Sequence, residues 1–146
     1  MEGETHSRVI NGKRQIFITQ RLWALAKGLP VRVVEIAEIA EFDQDCWFRG
    51  VAPTCRQVAD HARRIQAADL RYPVILSSSG ALMDGGHRIA KAWSAGATTV
   101  KAVRFAVDPE PDYVVPDHDQ LSGMNDREVI AARPAAESTS GRSVSL

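Results

Sequence analysis

Apolar and polar positions are ordered most clearly between Tyr72 and Phe105, in YPVILSSSGALMDGGHRIAKAWSAGATTVKAVRF. Residues 73–77 are a short apolar run rich in β-branched side chains and bounded by turn formers, the pattern of a buried strand. Ser78-Ser79-Gly80 is turn chemistry, so residues 81–84 return as the second strand of a hairpin. Asp84-Gly85-Gly86 breaks that strand, and residues 87–95 have helical spacing. Ile89, Ala90 and Trp93 fall on one side of the helix, His87, Arg88 and Lys91 on the other. Gly96 stands where a left-handed residue commonly ends a helix, and residues 100–105 close the unit as a strand.

Upstream, residues 19–27 read as a helix with Thr19 as its N-cap and Leu22, Ala26 and Leu29 on its apolar stripe. Gly28 and Pro30 end it. Trp23, at the stripe's margin, reads as core or lid. Residues 31–42 begin as a strand, after which the alternation loosens. Their acids Glu35, Glu38 and Glu41 recur every third residue, which fits a solvated face. The sharper alternative to that default is that Glu38 or Glu41 reaches the strand's end near the Gly-Gly-His-Arg loop as a base or magnesium ligand. Residues 43–53 form a connecting loop whose Trp47-Phe48 either packs beneath it or walls a pocket. Thr54 and Gln57 make a capping box for a helix over residues 54–67. Cys55, Val58, Ala59, Ala62 and Ile65 form its apolar stripe, and Arg56, Asp60, Arg63 and Arg64 face away with helical ion-pair spacing. On that stripe Cys55 reads as a buried, inert thiol. His61 lies at the margin and reads as structural, since no second ligand at metal spacing accompanies it.

The expected fold is a small α/β (α+β) domain, a mixed sheet with packed helices, over residues 15–106. Residues 1–14 read as a flexible N-terminus, 107–133 as an acidic, proline-rich extension with one short helix near residues 126–132, and 134–146 as a disordered serine-rich tail. His118, between two aspartates, reads as part of an exposed loop.

Composition narrows the function classes. In 146 residues, 18 basic and 18 acidic side chains cancel, so no overall field draws the chain to nucleic acid or an anionic membrane. No apolar run reaches membrane-spanning length, and MEGETHSRV has no signal-peptide core, so a cytoplasmic setting is expected. Cys46 and Cys55 have neither zinc nor disulfide-framework spacing.

The candidate chemistry is the glycine pair. Glycines between a strand and a helix let backbone N–H groups approach a ligand, and a helix start welcomes an anion. His87, Arg88 and Lys91 beside it suit phosphate, which an arginine meets with a two-pronged hydrogen bond. Asp84, one step earlier, reads either as a ligand for magnesium or a substrate hydroxyl, or as a plain helix cap.

The order PVIL, turn, ALMDGGHRIAKAWSAG, TVKAVRF resembles the N-terminal domain of the ParB/sulfiredoxin superfamily across residues 29–106. Its most specific part is Asp84-Gly85-Gly86-His87-Arg88, with Ala90 and Gly96 behind. The resemblance implies that Gly85, Gly86, His87 and Arg88 hold nucleotide phosphates, with Lys91 assisting. It implies ATP, ADP or CTP with magnesium as the ligand, and nucleotide hydrolysis or phosphoryl transfer to a small molecule as the reaction. Asp84 and Glu41 are the candidate catalytic carboxylates, and Asp84 the candidate magnesium ligand. Sulfiredoxins carry their nucleophilic cysteine where this chain has Gly86, which argues against sulfinic acid repair. The helix-turn-helix of chromosome-partition ParB proteins has no room here, so DNA binding by this chain alone is not expected. The alternative is a non-enzymatic regulatory or DNA-associated interaction module. A second copy of the chain is a further candidate partner.

Overall fold

The structure, a computed structural model, describes residues 4–117 and 124–133. It is a small α+β fold. In chain order the elements are strands β1 (Thr5–Ile10) and β2 (Lys13–Ile18), helix α1 (Thr19–Ala26), strand β3 (Arg32–Glu35), helix α2 (Cys55–Ala67), strands β4 (Val74–Leu76) and β5 (Leu82–Asp84), helix α3 (Gly86–Ser94), strands β6 (Thr99–Arg104) and β7 (Tyr113–Pro116), and helix α4 (Asp126–Ala132). Two 3₁₀ turns, Ile36–Glu38 and Ala40–Asp43, follow β3.

The strands form two sheets, β1-β2-β7 and β3-β6-β4-β5. In the second, β4 runs parallel to β6, and the other neighbours are antiparallel. All three residues of β4 are buried, which is why its sequence is an unbroken apolar run: both faces of the sheet are covered. On one face Val74, Leu76, Leu82, Val100 and Ala102 pack with Ile89 and Ala92 of α3 and with Ile36 and Ile39. On the other, Ile75, Met83, Val103 and Phe105 pack with Phe17, Leu22 and Ala26. Ile16, Val115 and Val129 make a third cluster that seats α4 on the N-terminal sheet. No helix among the described residues is long and apolar enough to cross a membrane.

Several expectations need correction. Residues 5–10 are a strand, not a frayed end. Asn11 (φ 53°) and Gly12 (φ 72°) close a two-residue turn between Ile10 and Lys13, the paired positive φ values that a tight hairpin requires. The stretch after residue 106 is also built in, because β7 pairs with β2. The expected strand over residues 31–42 stops at Glu35 and becomes the 3₁₀ turns. With three residues per turn, that geometry accommodates glutamates three apart. Thr19 does not cap α1; Ile18 is the cap residue, and the Thr19 hydroxyl donates to the Glu4 carbonyl at 3.0 Å. The Thr54–Gln57 capping box forms as expected, and so does the helix at residues 126–132. Yet α2 buries no residue, Cys55 is exposed, and its arginines and Asp60 form no ion pair among the described residues. The proposed tail, His118 and residues 1–3 lie outside the described residues.

Candidate functional site

The site is built where β5 hands the chain to α3. Gly85 makes the turn at φ +117°, a conformation that L side chains rarely adopt. Val74 lies directly behind it, and a Cβ on Gly85 would sit 2.6 Å from Val74 Cγ1. Gly86 then begins the helix. No side chain caps α3 and no acid occupies its first turn, which leaves the positive end of the helix dipole without a capping side chain.

The predicted site residues divide into two groups. Asp84, Gly85, Gly86 and His87 stand together at the loop. Arg88 and Lys91 are engaged with the protein. The Arg88 guanidinium donates to Asp84 Oδ2 at 2.5 Å and to the Pro73 carbonyl at 2.6 Å. Lys91 Nζ donates to the carbonyls of Gln66 and Ala68, a cation closing the C-terminal end of α2. Asp84 Oδ2 also accepts from Trp23 Nε1 at 2.6 Å, so Trp23 is partly a clamp on this carboxylate. Asp84 is not a helix cap: Gly85 holds that position. Among the described residues no three His, Cys, Asp or Glu side chains are grouped to hold a metal ion.

Glu41 is brought to the same strand from the second 3₁₀ turn, where its Oε1 accepts the Leu82 N–H at 2.8 Å. Glu38 is elsewhere. It lines a groove of about 710 Å³, with Arg32, Leu76, Ser79 and Arg104, at the opposite end of β4.

Three rings that the sequence scatters, those of Trp47, His61 and His87, meet beside the loop. His61 Nδ1 lies 2.8 Å from His87 Nε2, and the two rings are parallel to within 9° with centroids 5.1 Å apart. Trp47 stacks on both, 4.7 Å from His61 and 4.6 Å from His87 between centroids. Its indole also covers Gly86, with Nε1 3.5 Å from where a Cβ would be. The loop carrying it is held at two points. The Asp45 carboxylate accepts the N–H groups of Trp47, Phe48 and Gly50, which lower its pKa. The Arg49 side chain donates to Ser7 Oγ and Asp126 Oδ1.

Burial is the main cause that pushes the His87 pKa down to about 4, with His61 and Arg64 adding to it. His61 is lowered too, by burial and then by Arg64. His6, on β1, is a member of this neighbourhood that the sequence reading missed. Burial takes its pKa to about 4, while Asp126, Asp84 and Glu41 oppose the shift. The only sequence signal for His6 was the Asn11-Gly12 turn, which places β1 in a sheet.

Comparison of the chain with protein-family models, with curated proteins and with solved structures finds no match in any of the three.

Proposed function

We propose that this protein binds a phosphorylated small molecule, with nucleotides as the first candidates, at the start of α3. The reading rests on one observation: an uncapped helix start opened by a glycine that Val74 keeps free of any side chain. The likeness of the Asp84–Arg88 box to the ParB/sulfiredoxin superfamily supports it. In this reading the first-turn N–H groups and His87 meet the phosphate. Arg88 acts one step back, fixing Asp84 and the strand–helix junction, and Lys91 fixes α2. Asp84 and Glu41 are the candidate carboxylates for proton transfer, should the bound nucleotide be hydrolysed or its phosphoryl group be passed on; Asp84 would have to give up part of its bonding to Arg88 and Trp23. Magnesium would then arrive with the nucleotide, and the setting would be cytoplasmic.

The test is thermal unfolding with ATP, ADP, CTP and GTP, with and without magnesium, for the wild type and His87→Gln. A ligand that binds only the folded state stabilises it by about 2.7 kcal/mol at a hundredfold excess over Kd. A nucleotide-selective rise in Tm that His87→Gln weakens is the expected result. Arg88→Ala is the poorer probe, because it also strips Asp84 of its partner. No rise with any nucleotide would discard the reading.

The second reading, a non-enzymatic interaction module, draws on α2, an amphipathic helix that buries no residue and whose Arg56, Arg63 and Arg64 have no ion-pair partner among the described residues. A gel shift on random duplex DNA at low salt tests its nucleic-acid version, since such binding fades with salt.

A further inference from the structure

We propose that Trp47 is a lid over the start of α3, and that the His61–His87 pair is a proton-operated latch that holds it shut. The proposal stands whether or not that helix start binds phosphate.

The argument begins with the two facing nitrogens. At 2.8 Å, His61 Nδ1 and His87 Nε2 share one hydrogen: one ring donates and the other accepts. Parallel rings with a 2.8 Å nitrogen contact and centroids 5.1 Å apart meet at their edges, and this pair is what Trp47 lies on, within 13° of His61 and 7° of His87. Phe48 stands edge-on against His61 at 5.1 Å.

A first added proton goes to an outer nitrogen and leaves the bond intact. A second makes both rings imidazolium, so both facing nitrogens carry hydrogen. Attraction then becomes repulsion at contact distance, the rings part, and Trp47 loses its seat. The surrounding charges bias the pair against that state. Arg64 and Asp60 act from α2, Asp84 from β5 and Arg88 from α3. The Arg88 and Asp84 charges meet each other, whereas Arg64 has no ion-pair partner among the described residues. Burial and Arg64 hold both imidazoles below their usual pKa, His87 at about 4. The closed form is therefore favoured above pH 6.5 and loses that preference as pH falls toward 4. Asp45 holds the backbone N–H groups of Trp47, Phe48 and Gly50, and Arg49 ties the loop to Asp126, so the released piece is the Trp47 side chain, which swings while its backbone stays anchored.

The experiment follows the three indole N–H resonances of the full chain from pH 7.5 to 4 with a soluble paramagnetic probe. Trp47→Phe supplies the assignment, and far-UV circular dichroism monitors the fold. The latch predicts at least twofold greater broadening of Trp47 at pH 4, with Trp23 and Trp93 unchanged. His61→Phe keeps a flat ring but takes no proton, so its lid should stay shut at pH 4. His61→Ala should expose Trp47 already at pH 7.5. Three results would overturn the proposal: no change at Trp47 in folded protein at pH 4, the wild-type response persisting in His61→Phe, or Trp47 exposure coinciding with loss of the helical signal.

Discussion

Gly85 is the position least able to accept a side chain. Gly85→Ala combines a strained backbone with overlap against Val74, 2.6 Å from the new Cβ. Each effect costs about 1–3 kcal/mol, so a loss of about 2–6 kcal/mol is expected from urea denaturation. Gly86→Ala is the contrast. Gly86 is helical, and its Cβ would meet only Trp47 at ordinary contact distance. Alanine should leave stability within about 0.5 kcal/mol of wild type or raise it slightly. Two adjacent glycines that look alike in the sequence thus differ in what the backbone asks of them. The same limit applies to Arg88 and Lys91. Their helical face was legible from spacing, but not that Pro73 and α2 would supply carbonyls to receive them, because those partners are set by packing.

At the scale of elements, what was local in sequence was readable. The β4–β5–α3–β6 unit and the cap of α2 each follow from neighbours a few positions apart. The N-terminal hairpin was readable too, from Asn11-Gly12, but the polar composition of residues 5–10 outweighed that signal. The meeting of Trp47, His61 and His87 was not, since it joins a loop and two helices through tertiary contacts alone. Because α2 buries no residue, its ends matter more than its faces. Thr54→Ala removes a capping hydrogen bond and should cost about 1 kcal/mol. Lys91→Met releases the Gln66 and Ala68 carbonyls at the other end. In both variants, native-state hydrogen exchange should quicken in α2 while β4 and β6 keep their protection.

For the whole molecule, Asp126 is the tie. Its carboxylate accepts from Thr5 Oγ1, Arg14 and Arg49, joining β1, β2 and the Trp47 loop to α4. Arg14 is 1% exposed. Asp126→Ala removes one of two carboxylates beside that buried cation, Asp117 remaining at 3.3 Å, and strips Thr5 and Arg49 of their acceptor; it should destabilise by about 1–3 kcal/mol, read as a fall in the urea midpoint. Acid acts on the same scale. His6 and His87 have folded pKa values of about 4, below the ordinary 6.5. The unfolded chain therefore binds protons first, and stability should decline from pH 6.5 toward 4. Asp45 and Asp108 are lowered as well, so their contribution goes only at still lower pH, below the ordinary 3.8. Urea midpoints across pH 7.5 to 4 check the first window, and His6→Phe should flatten it.

Glu41 touches β5, which is three residues long and lies at the outer edge of its sheet. An open edge offers unpaired backbone groups to any passing strand, and that is how folded proteins begin to join into aggregates. By accepting the Leu82 N–H, the Glu41 carboxylate fills the place where another molecule's backbone carbonyl would dock, and its charge repels that carbonyl. The far edge, β3, carries Arg32 and Glu35. Glu41 thus has a reason to be where it is that requires no reaction: it blunts a strand edge against pairing with another chain.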